Sequence, residues 1–120
     1  MIRTAISGPD GDASQREYRK AMAIAVQAVI DWSRRYAEAA ERAADTAVDP
    51  TYRFLHRRVA AACRRVPARP ARDLFEGLQA IVLVHLALAI EGHGMSISIG
   101  LPDRVLADFV DAIRQAKEAR

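Results

Sequence analysis

From Leu74 to Ile90 only Glu76, Gly77, Gln79 and His85 depart from apolar character, and from Ala80 onward only His85 does. A helix over this stretch has no solvated stripe of ordinary width, so it must be buried on every side or lie in lipid. Leu78 to Ile90 falls short of the roughly 20 apolar residues that span a bilayer, and Glu76 and Glu91 flank it. Burial in protein is therefore favoured over membrane. A chain of 120 residues has few other elements with which to cover such a helix. Leu78, Ile81, Val82, Leu86 and Ile90 cannot all be covered by the two or three helices available, and large exposed apolar patches drive association or aggregation. Self-association is thus expected.

The ends of this helix are marked. Asp73 can cap the first turn, and Glu76 three residues later gives a capping-box pattern. Gly92 and Gly94 supply the permissive backbone that stops it. Met95-Ser96-Ile97-Ser98-Ile99 then alternates isoleucine with serine and predicts a short strand. Upstream, residues 1–13 read as a flexible arm, with Gly8-Pro9-Asp10-Gly11 as a turn signal. Ser14 with Glu17 forms a second capping box that opens a helix to about Ala44. Its apolar stripe is Met22, Val26, Val29, Ser33, Tyr36 and Ala40, with Asp31–Arg35 and Glu38–Arg42 as exposed pairs. Asp49 and Pro50 start a second helix, which runs to about Arg65 and is ended by Pro67 and Pro70. A last helix begins near Asp103, presenting Val105, Leu106, Phe109, Val110 and Ile113 on one face. Lys117 and Arg120 suit its C-terminus. The expected fold is mainly α, about four helices plus one short strand, with residues 14–120 forming a single helical segment.

Composition narrows the function classes. The chain is 51% hydrophobic and 28% charged, ordinary for a globular domain. Its first residues lack the apolar core of a signal peptide, which makes the cytoplasm the expected location. One cysteine excludes an internal disulfide framework. Arg53, Arg57, Arg58, Arg64, Arg65, Arg69 and Arg72 crowd into twenty residues. Phosphate contacts are one use for them. With few aromatic stacking partners nearby, a solvated or inter-element arginine face is the favoured reading, and no nucleic-acid partner is expected. Cys63, mid-helix among alanines, reads as a buried inert thiol rather than a nucleophile. His56, His85 and His93 are spaced too far apart for a metal pair on one helical face, so no metal site is indicated. His85 reads as a core histidine, whereas His93, in the turn, is the one placed to reach a pocket. No cofactor is indicated.

An ordered set of motifs carries a resemblance. The set comprises the run Arg72-Asp73-Leu74-Phe75-Glu76-Gly77-Leu78-Gln79, the apolar helix, the Glu91-Gly92 turn and Ser96-Ile97-Ser98-Ile99-Gly100 up to Asp103. It resembles the pyruvate formate-lyase domain of the glycyl radical enzymes. Arg16-Glu17-Tyr18-Arg19-Lys20-Ala21 looks like that family's long helix, and Cys63-Arg64-Arg65-Val66-Pro67-Ala68 like its usual lead-in. The likeness covers about residues 14–109, and it implies a segment of the family's α/β barrel.

The resemblance also implies what is missing. Family enzymes store a radical on a glycine in an Arg-Val-Xaa-Gly-like loop and pass it to a cysteine in a Gly-Cys-Xaa-Glu-Pro-like loop. Neither loop occurs in these 120 residues. No catalytic residue is assigned, and the expected reading is a fragment, a truncated paralogue or one piece of a split enzyme. In an intact relative the chemistry would be radical lyase, dehydratase or acyltransferase chemistry of anaerobic metabolism. By the resemblance Ser96, followed by His93, are the substrate-binding candidates; a hydroxyl bonded to neighbouring backbone is the alternative for Ser96. Met95 replaces a family histidine, while Leu101 and Arg104 replace a common arginine and glutamine, which leaves the substrate class open. The expected partner is the remainder of a split enzyme, or a second copy. A free-standing helical interaction protein associating through residues 74–91 is the second reading, and an arginine-rich nucleic-acid binder the third.

Overall fold

The computed structural model describes residues 13–92, 98 and 100–118. Five helices follow one another: α1 (Ala13–Thr46), α2 (Pro50–Arg65), α3 (Leu74–Glu91), α4 (Pro102–Val105) and α5 (Ala107–Glu118). The fold is mainly helical. Among the described residues there is no strand: Ser98 is in none, and Met95, Ser96, Ile97 and Ile99 lie outside the described residues. The short strand and the barrel segment it would join are therefore not observed.

α1 and α2 form the framework. A three-residue connection, Ala47 to Asp49, turns the chain back, so the two helices run antiparallel. The Asp49 carboxylate accepts from the Thr51 N–H at 2.7 Å, with Pro50 in the first turn, as the sequence predicts. Ala37, Ala40 and Ala44 of α1 are buried, as are Ala60, Ala62 and Cys63 of α2. Such small side chains let two backbones approach closely.

The buried stripe of α1 is Ile30, Ser33, Ala37, Ala40 and Ala44. Only Ser33 and Ala40 belong to the predicted stripe, and Met22, Val26 and Tyr36 are exposed. The reason is length. At 1.5 Å per residue α1 extends about 50 Å and α2 about half that, and α2 ends level with Ser33, whose hydroxyl lies 2.6 Å from the Cys63 carbonyl and 2.8 Å from that of Val66. The N-terminal half of α1 extends beyond α2.

Charge pairing also differs from expectation. Asp31 accepts from Arg34 at 3.1 Å rather than from Arg35, and Glu41 of α1 accepts from Arg64 of α2. Ala13 and Ser14 already lie within α1, and the Glu17 carboxylate takes Lys20 at 2.8 Å. α1 thus starts ahead of Ser14, the residue predicted to cap it.

The predicted last helix is split. Leu106 adopts φ −102° and ψ 4° between α4 and α5 and is the one buried hydrophobic among the described residues 98–118. Its side chain reaches Gly77, where an added Cβ would come within 2.9 Å of Leu106 Cδ2 and 3.4 Å of Phe109 Cε2. Seating Leu106 against α3 overrides the helical preference of the local sequence. The radius of gyration, 17.6 Å, exceeds the roughly 14 Å of a compact chain of this length. The helices therefore leave large surfaces open.

Candidate functional site

Beside the core contact of Leu83, α3 and the framework form a charged junction at the start of α3 and an apolar groove along its second half. The junction begins with Asp73, whose carboxylate accepts from the Glu76 N–H at 2.8 Å. Glu76 does not return the bond to Asp73, as a capping box would. Its carboxylate instead accepts from the backbone N–H of Arg72 at 2.7 Å and from that side chain at 2.5 and 3.0 Å. Arg65, at the end of α2, stands 3.4 Å from the same carboxylate and donates to the Pro70 carbonyl at 2.9 Å.

Glu76 is 4% exposed, so its charge needs partners to be tolerated. The Arg72 hydrogen bonds hold its carboxyl below the usual range, against the opposing pull of burial, with further help from Arg65. Arg58 lies 4.2 Å from the centre of the Phe75 ring, a cation–π contact. The arginine-rich segment thus joins elements to one another through Arg53, Arg58, Arg64, Arg65 and Arg72. The sequence reading identified Glu76 only as a cap; the signal it left unused was Arg65 and Arg72 placed on either side of Pro67 and Pro70.

The groove runs between the overhanging half of α1 and the C-terminal half of α3. Its volume is about 670 Å³, and Val26, Val29, Trp32, Val84 and Leu88 form its walls, with Arg35 and Glu91 at its polar margin. Trp32 is held edge-on to Tyr36 with ring centroids 4.7 Å apart. The lining offers apolar surface, with no cysteine, serine or histidine to act on a substrate.

His93 and Ser96 lie outside the described residues. At the described end of their motif, the Ser98 hydroxyl accepts from the Gly100 N–H at 3.1 Å. Gly100 has φ 80°, a conformation that favours glycine. Leu101 and Arg104 are exposed. His85 is half-buried, not fully in the core, because α3 is covered on one side only. Among the described residues no three His, Cys, Asp or Glu side chains converge into a metal-binding group.

Cys63 is buried in the core with Ala37, Val66 and Leu83, and burial pushes its thiol pKa up. A thiol so placed should resist iodoacetamide near neutral pH while the protein is folded. Cys63→Ala should cost about 1 kcal/mol or less, because one small buried group is lost. Rapid labelling of the native protein would show that the thiol is accessible.

In comparison with known proteins, the pyruvate formate lyase-like family matches residues 3–117. The chain belongs to that family. This pyruvate formate lyase-like chain is 30% identical over 104 residues to the isethionate sulfite-lyase of Bilophila wadsworthia (strain 3_1_6), covering 86% of the chain and 12% of that enzyme. It is 29% identical over 106 residues to the isethionate sulfite-lyase of Desulfovibrio desulfuricans, covering 88% and 13%. The enzyme of the same name from Nitratidesulfovibrio vulgaris is 30% identical over 104 residues, covering 86% and 13%. The chain therefore spans about an eighth of the length of the curated relatives it matches. No solved structure gives a significant match.

Proposed function

We propose that this chain supplies the helical segment of a glycyl radical enzyme of the lyase type and is catalytically silent until joined to a polypeptide bearing the cysteine and glycine loops. The supporting observation is the family match over residues 3–117 in a sequence that contains neither loop and whose one cysteine is locked in α2. In the completed enzyme a glycyl radical would generate a cysteine thiyl radical, which abstracts hydrogen from the substrate. Ser96 and, as the second candidate, His93 would contact that substrate from the segment following α3. Isethionate, named in the three relatives, is the first substrate to test; acyltransfer is the competing reaction class. The setting is cytoplasmic and anaerobic.

Treated anaerobically with a glycyl radical activating enzyme, the chain alone should give no glycyl doublet in electron paramagnetic resonance. Addition of the polypeptide carrying both loops should produce it. A doublet on the chain alone would overturn the proposal.

The open surface of α3 supports a second reading, a free-standing helical interaction protein. A stable, soluble monomer at high concentration, measured by sedimentation, would favour it, because four further helices would then suffice to keep α3 in solution.

A further inference from the structure

α3 is apolar nearly all round, yet beyond its first turn only Leu83 is fully buried. Leu83 is fully buried against Ala37, Cys63 and Val66, while Leu78, Val82, Val84, Leu86 and Leu88 are each 38–48% exposed. At roughly 100° per residue these five positions fall into two sectors of the helix. Leu78, Val82 and Leu86 form one continuous stripe. Val84 and Leu88 lie on the far side of the helix axis, where they form one wall of the groove whose other wall is α1. From Val84 round to Leu86 the open sectors span about 200° of the helix, whereas a single packed neighbour covers a stripe of roughly 100°.

One added helix cannot close that arc, and neither can a second copy of this chain meeting α3 along a single two-fold contact. α3 has by length and composition the makings of a membrane span. Against that use, Glu76 at its start is buried and tied to Arg65 and Arg72, and Gly77 is seated under Leu106 and Phe109. Both contacts hold the helix in a protein body. The relatives supply the remaining fact: the matching segment accounts for 12–13% of their length, so in those enzymes far more polypeptide is available to surround this helix.

We infer that the Leu78–Val82–Leu86 stripe and the α1–α3 groove are two halves of one docking surface, filled by at least two apolar-faced elements of the polypeptide that carries the cysteine and glycine loops. The inference rests on the function proposed above and specifies the surface through which that enzyme is completed. α3 then becomes an internal helix, flanked on one side by the α1–α2 hairpin and on the other two by the partner. Insertion of apolar faces into such grooves is a recurring mode of recognition.

The test uses the full chain, tagged and purified from its own host grown without oxygen, with co-purifying polypeptides identified by mass spectrometry. Two variants, Val82→Gln with Leu86→Gln and Val84→Gln with Leu88→Gln, are compared with the native chain after circular dichroism has shown that they remain helical. The native chain should retain, in equimolar amount, a polypeptide containing both loops, and each variant should retain about a tenth as much or less, since each strands two apolar contacts. Equal retention by either variant would overturn the inference, as would a native chain found only with a second copy of itself in a closed dimer. If the partner is retained as expected but the complex yields no glycyl radical on activation, the docking surface stands and the proposed chemistry fails.

Discussion

Truncating Leu83 to Ala should release α3 from the α1–α2 hairpin. Leu83 is the one fully buried large side chain of α3, and it fills the space among Ala37, Cys63 and Val66, with Trp32, Val59 and Ala80 around it. Leu→Ala in a packed core costs about 2–5 kcal/mol, the higher values where the site cannot collapse. Alanines line the neighbouring walls and have little side chain to move inward, which places this site toward the high end. In a protein of ordinary stability that is a large share of the total. Urea denaturation followed by circular dichroism should show the midpoint falling, with loss of α3 helicity ahead of the hairpin. A change below about 1 kcal/mol would show that α3 is held elsewhere.

The second large effect is expected at Glu76. Replacing it with Gln keeps the shape and removes the charge that Arg72 and Arg65 share. Hydrogen bonds to charged groups contribute about 1.5–3 kcal/mol; the side chain of Arg72 is 64% exposed, and solvent screening moves the expectation toward the lower figure. The pH dependence follows from the direction of the shift. The folded carboxyl is depressed below its ordinary 4.5, chiefly by the Arg72 hydrogen bonds. The unfolded state therefore takes up the proton first as pH falls. The stability contribution is full above the ordinary value, declines below it and is exhausted only beneath the depressed folded value. Thermal midpoints of native and Glu76→Gln protein should differ by a constant amount from neutral pH down to about pH 5 and converge on further acidification. A gap that persists unchanged into strong acid would show that the charge contributes nothing.

What the sequence made legible is what local chemistry controls. The starts of α2 and α3 fall where Asp49 and Asp73 cap them, and the end of α2 falls at Arg65, before Pro67. The burial of Cys63 was readable from its place among alanines, and the inter-element use of the arginines was one of the two uses expected of that face. The openness of α3 was likewise readable from its composition against chain length.

The misses have a common cause in tertiary geometry. The α1 stripe was shifted because apolar residues such as Met22 and Val26 carry no mark saying that α2 stops short of them. The last helix broke at Leu106, a good helix former, because Gly77 offered it a seat. Glu76 looked like a capping residue until folding brought Arg65 to it. The candidate pair His93 and Ser96 rests on motif order alone, and the family match covers their positions without placing either side chain.

The contact between Gly77 and Leu106 also has a topological meaning. It closes a loop from the first turn of α3, through the helix and the segment bearing His93 and Ser96, back to the α4–α5 junction. The entropy spent in closing such a loop grows only slowly with its length, so a single seated leucine with Phe109 beside it is enough to hold both ends. A missing methyl group at position 77 thereby ties the α4–α5 junction to the first turn of α3.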